Sequence, residues 1–204
     1  MSMGGAIVSQ FKRPYGVLGR VVGWILARRG SNVVRNRWTV DLLDPRSGER
    51  VLEVGCGPGV ALELCLSRMS VKAVGVDHSA LMIAQAGHRN AEAIRAGRLR
   101  LVEGTIDDLP GGAGPFDKMF SINLIQFVDQ AAFIARAKTV LEPGGLFAAT
   151  YQPRHATATR QDALDMAARL GGLLREAGFE DVRAEEIDLK PVPAVCVLAQ
   201  RGSR

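Results

Sequence analysis

No uninterrupted apolar run in this 204-residue chain approaches the roughly eighteen residues needed to cross a bilayer. The most lipid-like run, Val21 to Ala27, is bracketed by Arg20, Arg28 and Arg29. It is short for a secretory leader and no cleavage-like site follows it, so a cytoplasmic protein is expected. Cysteine is scarce: Cys56, Cys65 and Cys196 are odd in number and lack metal-ligand spacing. That excludes a disulfide framework and fits reduced surroundings. No acidic cluster suggests a metal. Aromatic residues make up 5% of the chain and none interleaves with the arginines, which argues against a nucleic-acid stacking platform. Repeats and low-complexity segments are absent, and the length fits one domain able to bury a sizeable core.

Positive charge is unevenly placed. Residues 1–50 hold nine Lys and Arg against three Asp and Glu, and the remainder seventeen against eighteen. The excess therefore lies in the first quarter, on Lys12, Arg13, Arg20, Arg28, Arg29, Arg35, Arg37, Arg46 and Arg50. Two readings stand: a lure for an anionic substrate or a membrane surface, and an ordinary solvated helix face.

The most informative stretch runs from Val51 to Gly59, VLEVGCGPG. A short apolar run carrying Glu53 meets glycines at every second position, and a helix-compatible segment follows from Val60 to Arg68. The order reads as strand, tight turn, helix. Glycine lets the backbone approach a ligand where a Cβ would block it. Eighteen residues past Gly59, Asp77 closes a second apolar run. A carboxylate there can take the two hydroxyls of a ribose. A dinucleotide turn would place its third glycine where Val60 stands and an apolar residue where Glu53 stands, so an NAD(P)-binding oxidoreductase is the weaker reading.

On those residues the chain resembles the class I S-adenosylmethionine (SAM)-dependent methyltransferases. Val51 to Gly59 is similar to their first motif. Val74-Gly75-Val76-Asp77, with Ser79 and Met82, is similar to their second. Val140 to Gly145 resembles the turn before their fifth strand, and Leu174 to Phe179 the helix end before the last hairpin. The likeness covers roughly residues 50–200 and leans toward the methyltransferase type 11 branch, which includes ubiquinone and menaquinone C-methyltransferases. It implies an α/β Rossmann-like fold: a mostly parallel sheet of seven strands in the order 3-2-1-4-5-7-6, with helices on both faces.

The pattern of the chain fits that expectation. Apolar periodicity predicts helices over 15–27 and 33–43, the second with Val34, Trp38, Leu42 and Leu43 on one side. Strands are expected at 50–55, 72–76, 98–103, 116–122, 145–151, 182–188 and 194–200, and helices at 59–68, 79–95, 129–141 and 159–177. Pro110 to Pro115 is loop by composition. Residues 1–48 form a basic helical cap and 49–204 the SAM-binding domain in this reading.

The resemblance also assigns roles. Glu53, Gly55, Cys56, Gly57 and Gly59 match the cradle of the methionine moiety, with Glu53 toward its amino group. Asp77 matches the ribose ligand, while His78 and Met82 flank the adenine. The segment Gly104-Thr105-Ile106-Asp107 departs from the family pattern, since Thr105 stands where a carboxylate toward the adenine amine is expected; Thr105, the Ile106 N–H and Asp107 are the candidates there. Ser121 and Asn123 follow the fourth strand toward the methionine end. Trp38, Gln126, Phe127 and Arg154 are candidate acceptor contacts, and Asn36, Arg37 and Trp38 can close over the methionine carboxylate. His155 is the candidate general base. The implied reaction converts SAM to S-adenosylhomocysteine (SAH) and methylates a small, lipid-like or anionic acceptor, without a metal. A SAM-binding regulator without catalysis is the alternative. The basic first helix also suits peripheral membrane contact, and the sequence leaves the oligomeric state open.

Overall fold

A computed structural model describes residues 30–68 and 70–203; the helix expected over 15–27 lies outside them. In chain order the elements are α1 (Gly30–Leu43), β1 (Arg50–Val54), α2 (Val60–Arg68), β2 (Lys72–Asp77), α3 (Ala80–Arg89), α4 (Ala91–Arg95), β3 (Leu99–Glu103), β4 (Phe116–Ile122), α5 (Gln130–Val140), β5 (Leu141–Tyr151), α6 (Arg160–Glu176), β6 (Phe179–Ile187) and β7 (Ala194–Arg201). Short 3-10 turns occupy Ile106–Asp108 and Ile125–Phe127. The seven strands form one sheet in the order β3-β2-β1-β4-β5-β7-β6. The first five are parallel, and β7 runs antiparallel between β5 and β6. Fold and strand order are those expected.

Alternation along the strands divides the core into two layers. On one face Leu52, Met119, Phe147 and Val197 pack with Ile134, Ala137, Leu170 and Leu174 of α5 and α6. Phe147 lies edge-on to Phe133 at 6.3 Å and to Phe179 at 5.9 Å between ring centroids. Such pairs contribute about 0.5–1.5 kcal/mol each beyond their buried area. On the other face Val51, Phe120, Ala148 and Leu198 pack with Val40 and Leu43 of α1 and with Ala61, Leu62 and Cys65 of α2.

Four local expectations need correction. The apolar stripe read from the sequence accounts for only part of the buried side of α1. Val34 is 45% exposed, and Trp38 and Leu42 are only half-buried, whereas Arg35, Asn36, Thr39, Val40 and Leu43 are buried. Polar partners at the end of β5 set this rotation: the Thr39 and Thr150 hydroxyls meet at 2.7 Å, and Arg35 Nη1 donates to Gln152 Oε1. The helix expected over 79–95 is broken at Asn90, whose side-chain amide donates to the carbonyls of Gly59 and Ala86 at 3.1 and 3.0 Å. β5 starts at Leu141 because Leu141 pairs with Phe116 before the chain bulges through Glu142–Gly145 and resumes at Leu146 opposite Lys118. β6 starts at Phe179 opposite Arg201, with its own irregularity at Asp181, where φ is +50°.

The Asn90 break matters for the first turn. Gly59 has φ +76°, and a Cβ added there would meet Asn90 Nδ2 at 2.6 Å and Ala86 Cβ at 2.9 Å. Gly48, with φ +94°, has nothing within 4 Å. Gly59→Ala therefore combines strain with overpacking and should cost about 2–4 kcal/mol, against about 1–2 kcal/mol for Gly48→Ala. Urea unfolding of the two variants measures that difference.

Candidate active site

Three loops converge at the carboxyl end of β2. The main-chain oxygen of Val76 accepts from the N–H groups of Gly55 (2.8 Å) and Cys56 (3.0 Å), which pins the glycine turn after β1. The Asp77 carboxylate then takes one N–H on each oxygen: Gly57 to Oδ2 at 2.8 Å and Ser79 to Oδ1 at 2.9 Å. Its main-chain oxygen accepts from Gly104 at 2.9 Å, which brings in the loop after β3. Ser79 caps α3 by accepting from Met82 N–H. A carboxylate with a single N–H on each oxygen keeps acceptor capacity for two hydroxyls.

Glu53 lies in β1, buried at 2% exposure, and its Oε2 has no hydrogen-bond partner. Burial pushes its carboxyl well above the usual carboxylate range; nearby Asp77 adds to the shift, and a backbone hydrogen bond from Leu62 opposes it. Burial, with Glu53 and Asp77 beside it, likewise drives the Cys56 thiol upward and holds it protonated. A buried carboxylate oxygen without a donor is costly. Its natural complement is a cation such as an ammonium group. The turn after β1 leaves room: Gly57 has φ +51°, and a Cβ there would meet nothing within 4 Å.

Further along the sheet the carboxyl ends of β4 and β5 complete the crevice. Ser121 Oγ is buried without a partner. Asn123 takes a left-handed backbone, φ +54°, which turns the chain after β4. Its Oδ1 accepts from the Gln152 N–H at 2.8 Å, and its main-chain oxygen accepts from Gln126 Nε2 at 2.9 Å. Gln126 and Phe127 are exposed at the rim, Phe127 at 53%. Arg154 and His155 are exposed on the loop after β5. His155 Nδ1 lies 3.3 Å from Thr157 Oγ1, and Nε2 lies 3.7 Å from Asp162 Oδ2.

The structure thus gathers Glu53, Gly55, Cys56, Gly57, Gly59, Asp77, His78 and Met82 at one end of the crevice. Met82 is buried, and His78 Nδ1 stands 3.7 Å from Asp77 Oδ1. The segment after β3 holds its three candidates through local contacts. Thr105 caps its 3-10 turn, its N–H and hydroxyl both donating to Asp108 Oδ2 at 2.7 and 2.9 Å. The Ile106 side chain enters the core, and Asp107 faces α5, with Arg136 Nε 3.1 Å away. Trp38 packs against the α1–α2 core layer. Sequence reasoning missed three residues: Asn90, Arg35 and Gln152. Arg35 was visible only as one of nine basic residues, and Gln152 only as a neighbour of Arg154.

An open groove of about 410 Å³ along Leu109–Pro115, Arg136 and Arg201 lies at the opposite, amino-terminal edge of the parallel strands and holds none of these groups. No cluster of His, Cys, Asp or Glu among the described residues can hold a metal ion, and no helix among them is long and apolar enough to cross a membrane. The donor set fits a nucleoside with a cationic amino group: an unpartnered buried carboxylate, a ribose-competent Asp77, and clearance over Gly57.

Comparison with known proteins agrees with this geometry. A sequence family described as "Methyltransferase domain" matches residues 51–145. The uncharacterized methyltransferase YdaC of Bacillus subtilis is 32% identical over 183 residues, covering 89% of this chain and 98% of YdaC. A ubiquinone biosynthesis O-methyltransferase of Azorhizobium caulinodans is 31% identical over 107 residues, 51% of this chain and 40% of that one. Among solved structures, the magnesium protoporphyrin IX methyltransferase of Synechocystis, with bound SAM, superposes with a TM-score of 0.66 at 16% identity, covering 84% of this chain and 80% of that one.

The raised Glu53 carboxyl has a stability consequence. A carboxyl that binds its proton more tightly in the fold than in the unfolded chain makes the folded state less stable as pH rises above the ordinary carboxylate range. Glu53→Gln removes that dependence. The ligand-free variant should melt above the parent at pH 8, with the gap closing toward pH 4; thermal melts across that range check it.

Proposed function

The chain belongs to the class I SAM-dependent methyltransferases and uses SAM as its cofactor, and from that premise we propose that it methylates a small anionic or lipid-like molecule by in-line displacement. Bound there, SAM supplies a methyl carbon on a sulfonium, to which an acceptor lone pair bonds as the carbon–sulfur bond breaks, leaving SAH. The observation that carries the reading is the buried Glu53 with its unpartnered oxygen beside Asp77, whose carboxylate also holds the N–H of the open position Gly57.

In this reading Glu53 holds the amino group of the methionine moiety, while Asp77 takes the ribose hydroxyls with the acceptor capacity left after its two N–H bonds. Gly55, Cys56, Gly57 and Gly59 give backbone cover. His78 and Met82 flank the adenine, and Thr105, Ile106 and Asp107 border it. Ser121 and Asn123 stand at the methionine end. Trp38, Gln126, Phe127 and Arg154 frame the acceptor, which the exposed rim admits from solvent.

Such a transfer asks the protein chiefly to position donor and acceptor and to exclude water. A proton acceptor is needed where the acceptor atom carries a proton. We assign that role to His155, the one histidine on the loop after β5, with Asp162 oriented toward its ring. Residues 1–48 serve as a cap on the unit 49–204; the placement of Arg35 and Thr39 beside the carboxyl end of β5 supports this. The basic excess before residue 50 supports peripheral contact with anionic lipid, and salt-sensitive flotation with anionic liposomes tests that part.

Calorimetric titration with SAH tests the cofactor site. Gly57→Ala leaves the packing intact, since its Cβ meets nothing in the protein, but it projects into the ligand volume; SAH affinity should fall at least about 10-fold while the fold loses only about 1–2 kcal/mol. Incubating the protein with SAM and a cell extract, with mass spectrometry for products heavier by one methylene, identifies the acceptor. On that acceptor His155→Ala should lower kcat by about 100-fold with little change in KM, and should remove the acidic limb of the pH–rate profile.

A further inference from the structure

The glycine turn after β1 is held in two halves by different elements. Its first half hangs from β2, where Val76 and Asp77 take the N–H groups of Gly55, Cys56 and Gly57. Its second half is held through carbonyls, by two consecutive residues where α3 ends. Arg89 Nε donates to Pro58 O at 3.0 Å, and Asn90 Nδ2 donates to Gly59 O at 3.1 Å.

Both donors are fixed in turn. Arg89 Nη1 lies 2.9 Å from Oε2 of Glu63, in the first turn of α2, so one guanidinium spans the turn and the helix that follows it. Asn90 is buried; its Nδ2 also reaches Ala86 O, and its N–H donates to the same carbonyl. Pro58 has no N–H and Gly59 no side chain, so the carbonyls are the groups by which this half can be gripped. In a planar trans peptide the carbonyl sets the direction of the following N–H. Arg89 and Asn90 therefore orient the two peptide planes at the entry to α2. The other end of α3 is capped by Ser79, whose N–H meets Asp77 Oδ1. One ten-residue helix thus braces both Asp77 and the far half of the turn.

Stability alone is a poor account of Arg89. Its side chain is 31% exposed and that of Glu63 49%, and ion pairs so open to solvent contribute little to folding. What the guanidinium changes is the freedom of a turn built on glycine. We propose that Arg89 and Asn90 are positioning residues for the amino-acid end of the cofactor, acting through the Pro58 and Gly59 carbonyls and not by contact with the ligand. This rests on the reading above that Gly55 to Gly59 cradle the methionine moiety. The nucleoside end is served by Asp77, which keeps its Ser79 brace when either side chain is removed.

Calorimetric binding of SAH is compared with that of 5′-methylthioadenosine, which keeps the adenosine and the thioether and lacks the amino-acid end. Loss of one hydrogen bond to the turn in Arg89→Met should weaken SAH by about 3- to 10-fold and methylthioadenosine by less than about 2-fold. Asn90→Ala should show the same asymmetry. Arg89→Lys, whose ammonium can still reach Pro58 O, should recover part of the SAH affinity. A merely structural role lowers the urea midpoint and leaves the ratio of the two affinities at the parent's value. That unchanged ratio in folded Arg89→Met overturns the proposal, and this variant decides alone if Asn90→Ala does not fold. A parent that binds neither ligand, or binds both without preferring SAH, would instead overturn the cofactor reading itself.

Discussion

The end of β2 holds the site together. Within two residues it accepts five main-chain N–H groups: two on the Val76 oxygen, two on the Asp77 carboxylate and one on the Asp77 main-chain oxygen. Those donors come from the glycine turn after β1, the cap of α3 and the loop after β3. None of these loops has a hydrophobic core of its own, so their mutual position depends on this shared set of acceptors. The carboxylate keeps the turn closed with one lone pair per oxygen and retains acceptor capacity on the rest.

Around that hub the chain buries ionisable groups that it does not pair. Glu53 is buried beside Asp77 with one oxygen unpartnered, and Arg35 is buried beside Arg154 with its Nε unpartnered. Each arrangement costs stability in isolation, since desolvated charge needs a partner. They have opposite sign and stand at the ends of different strands of the same crevice, β1 for Glu53 and β5 for the Gln152 partner of Arg35. A ligand that supplied the missing partner to either group would recover that cost, which would link the stability of the ligand-free protein to the affinity of its site.

How much of this was legible in the sequence depends on the kind of constraint involved. Glu53 to Gly59 and Asp77 were legible because short-range chemistry fixes them: a strand, a turn that needs left-handed glycines, and an acid at the next strand's end. The strand order followed from resemblance to a family, and the alternation of strands and helices agreed with it. The apolar stripe of α1, Val34, Trp38, Leu42 and Leu43, is only partly buried: Val34 is exposed, while Trp38 and Leu42 pack half-buried against the core. The competing face is polar and finds its partners, Thr150 and Gln152, more than a hundred residues away. Periodicity cannot register a buried arginine matched to a distant glutamine. The same limit applies to Asn90, which breaks a helix expected to be continuous because its amide is needed by the Gly59 carbonyl.

The division between buried and exposed groups also says why the acceptor is harder to name than the cofactor. Glu53, Asp77, Ser121 and Arg35 are all buried, and each is tied into the sheet or a helix packed on it. Phe127, Gln126, Arg154 and His155 are exposed on connecting loops. Loops over a fixed scaffold can change without loss of core packing, and displacement at a sulfonium asks little more of them than orientation. A fold whose crevice groups are buried in the scaffold and whose rim groups sit on loops can therefore change what it meets at the rim by altering few residues. That separation is physical, and it is consistent with proteins that share this sheet at 13–16% identity sharing the fold without thereby sharing a substrate.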